Sequence, residues 1–259
     1  MRIGVVGAAG RMGAEVCRAV AAADDLELVA AVDTSKVGRP LREVAGVDVD
    51  VVVTDDLDAL TAAGCDVAVE FTGPASVGDN LLAILERRIH AVVGATGIGD
   101  DDLARAAALA ADGPANALVA PNFAIGAVLM MRFAEQAAHH LPHVEIVELH
   151  HDGKADAPSG TALRTAELIS RSRPHPPEVP LGDDHHPGAR GADHTGVRVH
   201  SVRLPGLVAH QEVIFGGQGQ TLTIRHDSID RTSFMPGVLL ACRRVGGIDG
   251  LTVGLEHLL

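Results

Sequence analysis

Two histidines, a lysine and a Ser-Gly-Thr turn fall within one short run, His150-His151-Asp152-Gly153-Lys154-Ala155-Asp156-Ala157-Pro158-Ser159-Gly160-Thr161. An imidazole titrates near neutrality and can hand over a proton. Lys154, with the N–H groups around Gly160 and Thr161 at the start of a helix, makes a site for an anion. The combination suits a carboxylate substrate. Taken singly, the His pair reads rather as a solvated loop and the Ser159 turn as a plain helix cap. Their concurrence is what points to chemistry.

A second constellation is built from glycine. Gly7-Ala8-Ala9-Gly10-Arg11-Met12-Gly13 follows an apolar run and leads into helical spacing. Glycines there let the backbone turn tightly and approach a pyrophosphate, which the free N–H groups and dipole of a helix N-terminus hold. The spacing is G-x-x-G-x-x-G, which alone is also the glycine turn of an ordinary α/β protein. Asp33 strengthens the functional reading: it lies 20 residues beyond Gly13, at the end of the next apolar run, where an acid accepts from adenosine ribose hydroxyls. Gly94-Ala95-Thr96-Gly97 and Ala120-Pro121-Asn122-Phe123 also follow apolar runs, and in an open parallel sheet both loops share the carboxyl-end rim with the glycine turn. The 14 histidines do not read as metal ligands, because HExxH is absent and His139/His140, His185/His186 and His194 show no helix-face pairing with a third ligand. No metal is expected.

These residues need a scaffold, and the hydrophobic pattern supplies one. Up to residue 120 the runs Ile3–Val6, Leu28–Val32, Val49–Val53, Val67–Phe71, Ala91–Val93 and Ala117–Ala120 alternate with stretches of helical spacing such as 11–22, 76–88 and 102–111. Nearly continuous apolar strands separated by helices predict an α/β fold, a Rossmann-like, doubly wound parallel sheet covered on both faces and joined by right-handed crossovers. Next the spacing predicts a helix over 124–140, a strand over 144–149, a polar loop and a helix over 161–171. Pro174–Gly191, rich in Pro, His and Gly, reads as a long loop. Longer strands over 197–204, 207–215 and 221–226 follow, the last two joined through Gly216-Gly217-Gln218-Gly219 as a hairpin. This block predicts a second, α+β domain on a mixed or antiparallel sheet, and the helical spacing of 233–245 is expected to pack back on the first domain.

The 259 residues, 47% hydrophobic and 21% charged, allow one large domain or two modest ones with a sizeable core. The net charge of -13, the absence of Trp and Tyr, and only five Phe speak against a nucleic-acid surface. The longest uncharged stretch, 113–131, is broken by Pro114, Asn116, Pro121 and Asn122, so no membrane span is expected. The start of the chain lacks a leader-like pattern, and a cytoplasmic protein is expected. Cys17, Cys65 and Cys242 are odd in number and far apart, which argues against a disulfide framework or structural zinc. Of 21 basic residues only Lys36 and Lys154 are lysines, so at Lys154 the amine itself is expected to count.

The run Glu148-x-His150-His151-x-x-Lys154-x-Asp156-Ala157-Pro158-Ser159-Gly160-Thr161-Ala162 resembles the signature of the 4-hydroxy-tetrahydrodipicolinate reductases, or dihydrodipicolinate reductases, of bacterial lysine and diaminopimelate biosynthesis. Actinobacterial members are the most similar. The resemblance extends through Gly7–Gly13, Phe71-Thr72, Gly94–Gly97, Ala120–Gly126, Arg203-x-x-Gly206, His210 and Arg231-x-x-Phe234. It implies a dinucleotide-binding domain of residues 1–121 plus 230–259 and a substrate-binding and tetramerisation domain of residues 122–229. His150 and Lys154 would be catalytic, and His151, Lys154, Ser159, Gly160 and Thr161 would bind the substrate, a small dicarboxylate. NADH or NADPH, with dual use expected, would meet Gly7, Ala8, Ala9, Gly10, Arg11, Met12, Asp33, Thr34, Gly94, Ala95, Thr96, Ala120, Pro121, Asn122 and Phe123. The reaction implied is hydride transfer to C4 of a cyclic imine dicarboxylate after its 4-hydroxyl leaves as water, with a proton arriving at C3 from His150, in a homotetramer whose domains close on the substrate.

Some positions depart from the family pattern. Ala95 replaces a usual Thr, Glu70 a common Asp, and Asp33 is followed by Thr34 where some members carry an Arg that would grip a 2′-phosphate. Other two-domain nicotinamide dehydrogenases, of the aspartate or homoserine kind, do not call for the His150–Thr161 run. A dinucleotide-binding redox sensor has no need of His150 and Lys154.

Overall fold

Ile3, Val5 and Val6 are almost wholly withdrawn from water, because β1 (Arg2–Val6) is a central strand covered on both faces. From there the chain runs through α1 (Arg11–Ala21), β2 (Glu27–Val32), α2 (Leu41–Val44), β3 (Val53–Thr54), α3 (Asp58–Ala62), β4 (Val67–Glu70), α4 (Val77–Glu86), β5 (His90–Val93), α5 (Asp100–Asp112) and β6 (Ala117–Val119). It continues with α6 (Ile125–Ala138), β7 (His143–His150), α7 (Gly160–Ser172), β8 (Ala192–His194), β9 (Val197–Arg203), β10 (Ala209–Gly217) and β11 (Gln220–Ser228), then returns through α8 (Met235–Arg244) and β12 (Leu251–Val253). This computed structural model describes residues 1–173 and 185–259; residues 174–184, part of the segment read as a long loop, lie outside the described residues.

The chain divides into two units, Met1–Ala124 with Phe234–Leu259, and Ile125–Ser233. In the first, seven strands in the order β12-β6-β5-β4-β1-β2-β3 pair in parallel throughout. The order reverses between β1 and β4, the place where an open α/β sheet forms its ligand crevice. Ala120–Ala124 stays with this unit because a Cβ on Gly237 of α8 would lie 2.0 Å from the Phe123 carbonyl oxygen, so the two backbones touch.

Among the described residues the second unit holds five strands in the order β11-β10-β7-β9-β8, with β7 and β9 parallel and the other pairs antiparallel. Its sheet is therefore mixed. Ile146, Val199, Val213 and Phe215 share one face and are buried with Ala162, Ala166 and Ile169 of α7, while Val147, Leu149, Val202 and Ile214 on the other face stay partly exposed.

Several local expectations change. The β10–β11 turn is Gln218-Gly219 alone, with Gly219 at φ +71° and Gly217 already paired with Gln220, so Gly216 and Gly217 belong to the strand. The strand expected over Val49–Val53 reduces to Val53–Thr54, with Val52 bridging Pro40. Neither β8 nor β12 is expected from the pattern.

Candidate active site

In the first unit the N–H groups of Gly7 and Ala8 donate to the Val32 carbonyl at 2.8 and 3.2 Å, turning the chain off β1 with Gly7 at φ +84°. A Cβ on Gly7 would lie 2.8 Å from the Phe71 backbone, and one on Gly13 2.0 Å from the Gly7 carbonyl oxygen. Both residues are glycine because strand, loop and helix backbones meet here. Gly10 caps α1 without a side-chain bond, and the first turn closes with Ala14 N–H on the Gly10 carbonyl at 2.9 Å. The N–H groups of Arg11, Met12 and Gly13 precede that bond and sit at the end of the helix where its dipole favours an anion.

Asp33 is tied into the same turn. Its Oδ2 accepts from Ala9 N–H at 2.9 Å, and its Oδ1 from the Ser35 N–H and hydroxyl at 2.8 and 2.7 Å, which leaves a carboxylate with acceptor capacity to spare. The loops after β4, β5 and β6 also converge. The Phe71 and Phe123 ring centroids are 5.8 Å apart, and a Cβ on Gly94 would fall 2.2 Å from the first ring and 3.0 Å from the second. At the end of β4, Glu70 is fully buried: Oε1 accepts from Thr72 N–H at 3.0 Å, from the Thr72 hydroxyl and from the Asn80 amide at 3.2 Å, while Oε2 has no partner among the described residues. Burial pushes this carboxyl above its ordinary range despite those bonds. Burial pushes the Cys17 and Cys242 thiols up to about 12 and Cys65 to about 11, away from the thiolate form.

In the second unit the period of β7 places Ile146, Glu148 and His150 on one face, and the parallel register sets Arg203 opposite His150. Glu148 has no solvent exposure. Its Oε2 lies 2.6 Å from His150 Nδ1 and 2.8 Å from Arg203 Nη1; its Oε1 accepts from Arg203 Nη2 at 2.8 Å and from Ser159 N–H at 3.2 Å. Arg203 Nη2 also donates to the Asp156 carbonyl at 2.6 Å. Ser159 caps α7, its hydroxyl accepting from Ala162 N–H at 3.2 Å. Gly160 faces open space, since a Cβ there would meet nothing within 4 Å. Lys154 Nζ donates to both Asp156 carboxylate oxygens, at 2.7 and 2.9 Å, and that bond holds Asp156 below the usual carboxylate range. Among the described residues no group of three or more His, Cys, Asp or Glu side chains could hold a metal ion.

Residues 1–123 match the family model described as dihydrodipicolinate reductase, N-terminus, and residues 126–259 match its C-terminus counterpart. The chain belongs to the dihydrodipicolinate reductase family. A 4-hydroxy-tetrahydrodipicolinate reductase of Mycolicibacterium smegmatis is 53% identical over 264 residues, covering 100% of this chain and 99% of the relative. One of Nocardia farcinica is 53% identical over 268 residues, covering 100% and 98%. A solved dipicolinate-bound dihydrodipicolinate reductase from a Paenisporosarcina species has a TM-score of 0.89 at 43% identity, over 100% of this chain and 99% of that one. The chain is thus an oxidoreductase of this family, with the parallel sheet of a nucleotide-binding Rossmann domain in its first unit.

Within this dihydrodipicolinate reductase the expected residues group by unit. Gly7–Met12 and Asp33 form one turn, and Gly94 and Phe123 meet Phe71 on the same sheet rim. Thr34, Thr96 and Pro121 are exposed, whereas Ala8 and Ala120 are buried and can offer only backbone. His150, Lys154, Gly160 and Thr161 cluster at the end of β7 and the start of α7, beside the exposed His151. Ser159, expected as a substrate contact, is buried; its hydroxyl oxygen accepts from Ala162 N–H and its own N–H donates to Glu148, so it also builds the turn. The roles of Glu148, Arg203 and Phe71 are missed by the sequence reading. One signal was present: Glu148 interrupts β7 on the same parity as Ile146, where a buried apolar residue is the rule.

Proposed function

We propose that this reductase converts 4-hydroxy-tetrahydrodipicolinate to tetrahydrodipicolinate, on the route to diaminopimelate and lysine, with NADH or NADPH as reductant. The observation that carries this reading is the joint placement of His150, Lys154 and the open Gly160 at the end of β7 and the start of α7. An imidazole, an ammonium and a helix N-terminus are what a dianion that must gain a proton requires. His150 supplies the proton to C3 as negative charge develops there, following loss of the 4-hydroxyl as water. Lys154, proposed as a proton donor to the site as well as an anchor, holds the carboxylates with Gly160 and Thr161, and His151 contacts the substrate from the exposed side of the same turn. The dipicolinate-bound relative supports a small dicarboxylate ligand.

The first unit fits a dinucleotide, because its glycine cradle has room for nothing bulkier at Gly7, Gly13 and Gly94. Gly7–Met12 would hold the pyrophosphate, Asp33 and Thr34 the adenosine ribose, and the loops Gly94–Thr96 and Ala120–Phe123 the nicotinamide side. When bound, the nicotinamide supplies a hydride for C4. Asp33 repels a 2′-phosphate, while the exposed Arg11 and Lys36 attract one, so both cofactors are used. The protein acts as a cytoplasmic homotetramer; no helix among the described residues is long and apolar enough to cross a membrane.

Following nicotinamide absorbance with freshly made substrate tests the reading directly, and no oxidation of either cofactor overturns it. Run with both cofactors, the same assay should give kcat/KM values within about tenfold, roughly 1.4 kcal/mol; a stronger preference for NADPH contradicts the role of Asp33.

A further inference from the structure

The four bonds to Glu148 use each carboxylate oxygen twice. A buried carboxylate is stable in such a setting only when ionised and fully paired. Arg203 grips it with two parallel bonds, and a guanidinium does not give up its proton. An ionised carboxylate accepts at every position, so the nitrogen facing it must carry hydrogen. His150 is therefore Nδ1–H, and Nε2 is the ring nitrogen left to gain and lose a proton. The same carboxylate binds Ser159 N–H, and the Ser159 hydroxyl caps Ala162, which fixes where Gly160 and Thr161 open α7.

We propose that Glu148 is the positioning residue of this site: its buried carboxylate decides which nitrogen of His150 exchanges protons and holds the Ser159–Thr161 turn in register with it, with Arg203 as the counter-charge. The kinetic part rests on His150 being the proton donor; the tautomer part rests on geometry alone. Burial acts to raise the Glu148 carboxyl, but the hydrogen bonds it accepts, those from Arg203 first, outweigh it and hold the group below its ordinary range. Burial also holds the His150 imidazole below its ordinary value, against the upward pull of Glu148. Without the charge at position 148 that pull is lost, and protonated His150 becomes scarcer at a given pH.

Nitrogen-15 NMR of the full chain with labelled histidine, His150 being assigned by difference against His150→Gln, reads the tautomer. The Nδ1–H form is expected in the wild type, and the Nε2–H form should gain population in Glu148→Gln. In that variant kcat should fall about tenfold or more with NADH affinity within about twofold. Its loss of turnover with rising pH should begin about one unit lower, a tenfold change in the protonated fraction. A wild-type His150 that is Nε2–H overturns the proposal whatever the variants do, so misfolding of Glu148→Gln cannot shelter it. An unchanged tautomer and pH profile in folded Glu148→Gln overturns it as well. Wild-type turnover in His150→Gln sinks the reading of His150 as donor, and the tautomer then decides the role of Glu148 by itself.

Discussion

Lys154 spends its charge on Asp156, a residue that is itself well exposed, and an exposed ion pair contributes little. A substrate carboxylate can take the place of Asp156 with small loss. What distinguishes Lys154 is then the chemistry of its amine. Lys154→Arg keeps the charge, but its planar fork is larger and cannot release a proton at a workable pH. Turnover is expected to fall at least ~10²-fold, nearly as far as in Lys154→Ala, with NADH affinity within about threefold because the cofactor turn lies in the other unit. Near-normal turnover in a folded Lys154→Arg protein would show that charge alone is needed. His150→Gln is expected to lower kcat by about 10² with a smaller change in substrate KM, since a general acid acts mainly in the transition state. A larger loss in His151→Gln than in His150→Gln would exchange the two roles.

At the scale of elements, the end of β4 carries a stored penalty. Glu70 ionises near its ordinary value in the unfolded chain, but burial raises that value in the fold. Between the two values the folded chain holds a proton that the unfolded chain lacks, so stability falls as pH rises through that window and the full penalty stands above it. Glu70→Gln keeps an oxygen for the Thr72 and Asn80 donors and removes the charge. Its melting temperature should exceed that of the wild type at about pH 8, with the gap closing toward about pH 4; a gap that is constant with pH would refute the assignment. Such tuning is not legible in the sequence, although the frame around it is. The continuous apolar runs of β1, β2, β4 and β5 and the helical spacing of α1 declare a parallel sheet. Three-residue strands such as β8 and β12 are too short to show a period, and long-range pairing defines them. The site divides the same way. His150 and Lys154 announce themselves by residue type, whereas Glu148 and Arg203, 55 residues apart, are joined only by the register of β7 on β9.

For the whole molecule, a net charge of -13 sets a problem for an enzyme of two anionic ligands, and the proposed answer is local: Lys154 beside the start of α7 in one unit, and the opening of α1 in the other. Within the second unit the described residues also leave one sheet face partly exposed. Val147, Leu149, Val202 and Ile214 are partly exposed there among the ion pairs Glu145–His200, Glu212–Arg225 and His210–Asp227. Strand β11 is a nine-residue edge, longer than edges that proteins leave unguarded. Packing this face on its counterpart in a second chain buries the apolar residues and satisfies two-fold symmetry, because the same patch serves both partners. In the proposed homotetramer this face supplies one two-fold contact, and a second contact, for which the open β11 edge is available, joins the two pairs. Light scattering is therefore expected to give about four times the chain mass of 26.7 kDa. Ile214→Lys, which places a charge at the centre of the face without entering the buried side of the sheet, should shift the mass toward smaller species while leaving the far-ultraviolet circular dichroism unchanged. A monomer at all micromolar concentrations would remove the tetramer, and an Ile214→Lys protein that stays tetrameric would place the interface on another face.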